Sequence, residues 1–143
     1  MNIDAIKNGI VIDHIKAGKA MEIYQLLKLD TLECSVAIIK NAASGKMGKK
    51  DIIKIDSLLD IDLDALGYID PDASVNIIKD GVLVEKRHLS IPERLVNVLK
   101  CENPRCITSV ERDIQHVFKL TDKENHIYRC VYCESRPKHG KTV

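Results

Sequence analysis

The stretch Cys34–Asp56, CSVAIIKNAASGKMGKKDIIKID, sets two apolar β-rich runs, CSVAIIKN (34–41) and DIIKID (51–56), around the segment AASGKMGKK (42–50). Gly45 and Gly48 permit a tight reversal there, so the stretch reads as two antiparallel strands joined by a loop with a basic tip. On the N-terminal side, Gly9–Ile15 (GIVIDHI) is a third β-rich run bounded by glycine, with Asp13 and His14 as its polar interruptions. Between that run and the hairpin, Ala20, Ile23, Tyr24 and Leu27 fall at i, i+3, i+4 and i+7, which predicts an amphipathic helix over Ala17–Lys28. On the C-terminal side, Leu58, Leu59, Ile61, Leu63 and Leu66 suit a second helix over Ser57–Leu66, ended by Gly67. Ala73–Lys79 and Val82–His88 are two further strands joined through Asp80-Gly81, a turn pair in which glycine readily takes positive φ. The order strand, helix, strand, strand, helix, strand, strand predicts an α+β unit, a mostly antiparallel sheet with both helices on one face.

Past this unit, Ser90-Ile91-Pro92-Glu93 has the form of a capping box and predicts a short helix over Pro92–Leu99. The domain boundary is placed here, giving units 1–92 and 93–143. About 50 residues remain, too few to fold on an aliphatic core alone. Ile114, His116, Phe118 and Leu120 alternate with polar positions as in a strand, and Asn125–Glu134 supplies another, so the second unit reads as small and β-rich.

Four cysteines supply what the small core lacks. Cys101 and Cys106 are separated by four residues, Cys130 and Cys133 by two, and the pairs by 23. Paired thiols on short turns suit a tetrahedral ion, and four thiolates leave no position for water or substrate. The spacing predicts one structural zinc per chain; iron held by four thiolates is the alternative. His116, His126 and His139 lie off the paired spacing. Cys34 sits among Val36 and Ile38 and reads as a packed core residue.

Composition narrows the function. With 22 basic and 21 acidic residues the net charge is +1, against the basic excess of a dedicated nucleic-acid binder, the main competing reading for a zinc ribbon. No apolar run approaches the roughly 18 residues that cross a bilayer, and the polar Met1–Lys7 lacks a signal-peptide core, so a cytoplasmic protein with no membrane partner is expected. No nucleophile motif or readable carboxylate pair emerges, which predicts a noncatalytic chain. Lys46, Lys49, Lys50, Lys54 and Lys86 form a lysine-rich set, yet the loop matches neither a Walker-type phosphate loop nor a Rossmann fingerprint. From spacing alone these lysines read as a solvated hairpin tip and scattered surface charge, and Asp13 as a group on a solvent face or at the strand's end.

Several stretches together resemble one family, the regulatory chain of aspartate carbamoyltransferase. They are Ile12-Asp13-His14, the GKMGKKDIIKID segment Gly45–Asp56, Ala73–Asn76, SIPERLVNV (Ser90–Val98), and the two cysteine pairs with the Tyr132-Cys133-Glu134 ending. The resemblance covers nearly the whole chain in order. It implies a ferredoxin-like N-terminal domain that pairs with a second regulatory chain and binds nucleoside triphosphates. It also implies a zinc domain that docks on the catalytic chain, the subunit that condenses carbamoyl phosphate with aspartate to begin pyrimidine synthesis. CTP, with UTP in some members, inhibits such holoenzymes and ATP opposes it. Carried over by motif, Asp13 would lie near the ribose and Lys54 and Lys86 near ribose and phosphates. His14 and Lys50 would lie close to the phosphates, Asn76 and Ile78 beside the base, and the backbone of Ile6 and Ile78 at its edge. Val11 is counted with this set. Gly81 stands where a relative carries a bulky aromatic, which reduces one wall of the pocket.

Overall fold

The computed structural model describes residues 6–137 and divides the chain into two compact units, Met1–Ile91 and Pro92–Val143. The first holds β1 (Gly9–Lys16), α1 (Ala20–Leu26), a 3-10 turn (Leu29–Thr31), β2 (Val36–Ser44), β3 (Gly48–Ile55), α2 (Leu63–Ile69), β4 (Ser74–Lys79) and β5 (Val82–His88). Its strands form one sheet in the order β2-β3-β1-β4-β5, antiparallel at every pairing. The first four strands and two helices have the ferredoxin-like order, with β5 added beside β4.

Alternation along the strands decides which face carries the helices. Ile10 and Ile12 of β1, Ile53 and Ile55 of β3, and Val75 of β4 are buried, and they share one core with Ala20 and Ile23 of α1 and Leu66 and Ile69 of α2. Val11, Lys54 and Asn76, which alternate with them, therefore point to the opposite, outer face. Gly9 begins β1 because a Cβ there would run into the Ile55 carbonyl and meet Ile6.

Five local expectations are corrected. The hairpin loop is shorter than 42–50: beyond a bulge the ladder continues through Ala42↔Lys50, Ala43↔Lys49 and Ser44↔Gly48, since backbone pairing does not require apolar side chains. The first helix is trimmed at both ends by residues of positive φ, Gly18 (97°) and Lys28 (54°). The second helix starts later than Ser57 and runs through Gly67. Asp62 caps it by accepting the N–H groups of Asp64 and Ala65 at 3.1 Å, and Gly67 is buried inside it, where a small residue lies against the core.

The largest correction concerns 92–99, which form no helix. The segment supplies β6 (Arg94–Val96), which pairs with β7 (Val117–Asp122) through Arg94↔Lys119, Leu95↔Phe118 and Val96↔Val117. Leu95 and Phe118 are both fully buried, and the Glu93 carbonyl accepts the Leu120 N–H at 2.8 Å. Burial of the lone phenylalanine under a paired strand outweighs the local capping signal. The strand expected from Ile114 starts three residues later, at Val117. The second unit is completed by a single-turn helix α3 (Ile107–Val110) and by β8 (Ile127–Cys130), giving a three-stranded sheet β6-β7-β8. Tyr128 donates its hydroxyl to the Pro92 carbonyl at 2.5 Å, closing this sheet at its edge.

Candidate metal centre and outer sheet face

In the second unit two turns bring four sulfurs together. The Cys101–Cys106 turn is shaped by Asn103: its side-chain oxygen accepts the Arg105 N–H at 3.1 Å, while its carbonyl accepts the Cys106 N–H at 3.0 Å and the Ser109 hydroxyl at 2.7 Å. The Cys130–Cys133 turn closes where the Cys130 carbonyl accepts the Glu134 N–H at 2.8 Å, with Glu134 at φ 63°. The ligand atoms of Cys101, Cys106, Cys130 and Cys133 all lie within 4.8 Å of one another, with Cys101–Cys133 at 3.6 Å and Cys106–Cys130 at 3.7 Å. No disulfide joins them.

Burial pushes the Cys101 thiol up to about 12 and raises Cys130 as well. At Cys133 burial acts in the same direction, but hydrogen bonds from the Ser135 hydroxyl and backbone and from Asn103 outweigh it and bring the thiol down to about 6. Such a set holds four thiolates only around a cation, because buried like charges otherwise resist ionisation. This fits a metal. Residues that spacing did not single out support the ligands: the Thr108 hydroxyl donates to Cys106 Sγ at 3.1 Å, and the Cys101 N–H donates to His116 Nδ1 at 3.1 Å. His116 thus braces the site from outside it. Neither it nor His126 joins the cluster, and His139 lies outside the described residues.

The sequence-derived nucleotide residues gather on the outer face of the first unit. The register places Ala37, Lys54, Val11, Asn76 and Lys86 in one row across five strands. Ile78 faces Gly9 two positions further along β4, and Ile6 lies beside Gly9. In the other direction β1 bulges between Ile12 and Ile15, which puts His14 at φ 58° with its Nδ1 3.0 Å from the Ser74 hydroxyl. Asp13 accepts the His14 N–H at 2.6 Å and pairs with Lys50 at 2.9 Å. Burial tends to raise the Asp13 carboxyl, but the Lys50 hydrogen bond, the His14 N–H and the charges of both residues hold it below the usual carboxylate range.

The solvent-facing reading of Asp13 is corrected: it is half-buried and ion-paired. Lys46 and Lys49 stay at the exposed hairpin tip, outside the row. Asn76 Oδ1 is buried without a hydrogen-bond partner. Gly81, at φ 76° in the β4–β5 turn, has open space where a side chain would stand.

Fold and sites together define a class: a two-unit α+β protein with a polar outer sheet face in one unit and a four-cysteine metal centre in the other. Residues 1–90 match the family model of the aspartate carbamoyltransferase regulatory chain, allosteric domain, and residues 93–142 match the metal binding domain of the same chain. The aspartate carbamoyltransferase regulatory chain of Clostridium acetobutylicum is 50% identical over 143 residues, covering 100% of this chain and 98% of the relative. That of Clostridium tetani is 51% identical over 135 residues, 94% of each chain. That of Bifidobacterium longum is 43% identical over 138 residues, 96% of this chain and 99% of the relative. The chain belongs to the aspartate carbamoyltransferase regulatory chain family, whose two domains are regulatory rather than catalytic. No described helix is long and apolar enough to cross a membrane.

Proposed function

We propose that this chain binds CTP and ATP, with UTP as a further candidate, on the outer face of its N-terminal sheet and thereby biases the activity of an aspartate carbamoyltransferase catalytic chain, on which its zinc domain docks. It acts in the cytoplasm, as a homodimer of regulatory chains bridging catalytic subunits in pyrimidine synthesis. The observation that carries this reading is the row Lys54, Val11, Asn76, Lys86, with a buried amide oxygen left unpartnered in its middle. Three strand spacings, about 14 Å, separate the two lysine backbones. Two cations flanking an aliphatic side chain and an amide suit a ligand that offers anionic groups to the lysines and an apolar, hydrogen-bonding face to Val11 and Asn76. An unpartnered buried oxygen costs about 1–3 kcal/mol, a cost that a donor group on a bound base removes. His14 and the Asp13–Lys50 pair extend the polar set for the phosphate end and ribose. Backbone groups of Ile6 and Ile78 supply the donors and acceptors that separate one base edge from another.

For the second unit zinc fits. A tetrahedral ion with sulfur at about 2.3 Å requires sulfurs about 3.8 Å apart, close to the Cys101–Cys133 and Cys106–Cys130 separations of 3.6 and 3.7 Å. Zinc held by Cys101, Cys106, Cys130 and Cys133 supplies charge neutralisation and folding energy, and no open position for chemistry. Docking through a unit folded by metal makes assembly with the catalytic chain dependent on that metal.

Titrating the purified chain with CTP, ATP and UTP in a calorimeter tests the nucleotide reading. Saturable binding that weakens in Lys54→Ala and Lys86→Ala supports it; binding indifferent to both substitutions, or none, overturns it.

A further inference from the structure

Asp51 is fully buried in the middle of β3, and neither the metal centre nor the outer row uses it. One of its oxygens accepts the Asn41 N–H at 3.0 Å, and the other accepts the N–H groups of Gly18 at 3.0 Å and Ala20 at 3.2 Å. One carboxylate thus ties β2 and the start of α1 to β3. Both neighbours of β3 are bulged at this level, β1 between Ile12 and Ile15 and β2 between Ile39 and Ala42. Each bulge contains a non-glycine residue in the left-handed region, His14 and Asn41, both at φ 58°. Bulges bend a strand and re-aim its side chains, and such a residue persists where its surroundings over-determine it. At Asn41 that restraint is the hydrogen bond to Asp51; at His14 it is the Ile15↔Asp51 pairing that follows the bulge.

The adjacent residue, Lys50, points the other way, to the outer face, where it meets Asp13 at 2.9 Å. Lys50 registers with Ala42, the first pair past the β2 bulge, and with Lys16, the second pair past the β1 bulge. Its position relative to His14 therefore depends on how both bulges are held.

We propose that Asp51 is a positioning residue for the phosphate end of the effector site. It fixes the two bulges, sets the Asp13–Lys50 pair and His14 in mutual register, and couples polyphosphate binding on the outer face to the start of α1 on the helix face. This rests on the nucleotide reading above. The ligand class it acts on is the polyphosphate tail, not the base.

The experiment compares CTP with cytidine on the full chain, wild type and Asp51→Asn. Asparagine keeps the size but replaces one acceptor oxygen with a donor facing N–H groups. A coupling of ordinary allosteric size lowers CTP affinity about tenfold in the variant while cytidine stays within about twofold. A merely structural role lowers both ligands by one factor through the folded fraction, so equal losses, or no loss, overturn the proposal. Hydrogen exchange of the wild-type protein reads the same coupling without a variant. The amides of Gly18, Ala20 and Asn41 should exchange more slowly with CTP than with cytidine, and unchanged exchange at all three overturns the proposal even if Asp51→Asn does not fold. A wild-type chain that binds no nucleotide removes the nucleotide reading and this inference with it, an outcome distinct from normal wild-type binding with parallel losses in the variant.

Discussion

Lys50 Nζ lies 2.9 Å from Asp13 Oδ1 on the sheet face opposite the helices, so this lysine is matched by a carboxylate before any ligand arrives. A phosphate reaching Lys50 meets a balanced pair, whereas Lys54 and Lys86 are not ion-paired with any described residue. The net pull on a polyanion is then strongest at the two lysines of the row. Asp13 holds Lys50 in place through this ion pair.

The first prediction concerns that pair and pH. Burial raises the Asp13 carboxyl, and Lys50 is the leading influence opposing it. The folded value is depressed below the unfolded one. The pair's stabilising contribution is therefore present above the ordinary carboxylate value, about 3.9, and lost as pH falls through the folded value. Lys50→Met should raise the Asp13 midpoint in a carbon-detected NMR titration. An unchanged midpoint contradicts the assignment.

The second separates the row from the hairpin tip. Charge-assisted bonds to phosphate contribute about 1.5–3 kcal/mol, so Lys54→Ala and Lys86→Ala should each weaken CTP by about 10- to 100-fold. Lys46→Ala and Lys49→Ala should change it little. Calorimetry at fixed salt checks the ranking, and equal effects at all four positions would place the site elsewhere.

The third uses the orphaned amide. Asn76→Leu removes a buried acceptor without a partner, so the free chain should be as stable as wild type or up to about 1 kcal/mol more so. Nucleotide affinity should fall in the same variant. Thermal melts with and without CTP read both effects, and a destabilised variant that still binds normally refutes the role given to Asn76.

The fourth tests β6. Ser90→Ala and Glu93→Ala should each change stability by less than about 0.5 kcal/mol, since no helix is capped there. Leu95→Ala should cost the second unit about 2–5 kcal/mol through the cavity left beside Phe118. Denaturant melts of zinc-loaded chain report both, and the reverse order would restore the helix.

The architecture was legible wherever the sequence repeats with the period of its element. β4 and β5 lie where Ala73–Lys79 and Val82–His88 predicted, with Asp80 and Gly81 both at positive φ in the turn between them. The cysteine spacing likewise led directly to the cluster. Local signals misled where a distant partner decides the outcome. Ser90-Ile91-Pro92-Glu93 satisfies every rule for a helix start, yet Phe118 needs Leu95 opposite it in a sheet. The stretch from Ser57 carries apolar residues at helical spacing, but Asp62 sets the start. The outer face was invisible to composition because Lys54, Asn76 and Lys86 come together only through strand register. Asp51 was missed for the same reason: nothing in DIIKID distinguishes a buried carboxylate that ties two strands and a helix from an exposed one at a strand end.

Metal removal tests the second unit. Zinc binding of this kind carries an apparent free energy of roughly 10–16 kcal/mol, more than a unit this small holds by itself. Chelation should collapse the NMR signals of β6, β7 and β8 while those of β1 to β5 persist. Persistence of all eight strands would deny the metal its structural role.

The central claim is regulation through the outer face, and aspartate saturation of holoenzyme reconstituted from this chain and its catalytic partner tests it most directly. With wild-type chain, CTP and ATP should shift the curve in opposite directions, by a several-fold change in apparent affinity that corresponds to about 1–3 kcal/mol of coupling. With the Lys54→Ala, Lys86→Ala double variant the curve should remain where it lies without nucleotide. Curves that superimpose for wild type while nucleotide is shown to be bound, or a double variant that responds as fully as wild type, would contradict the account.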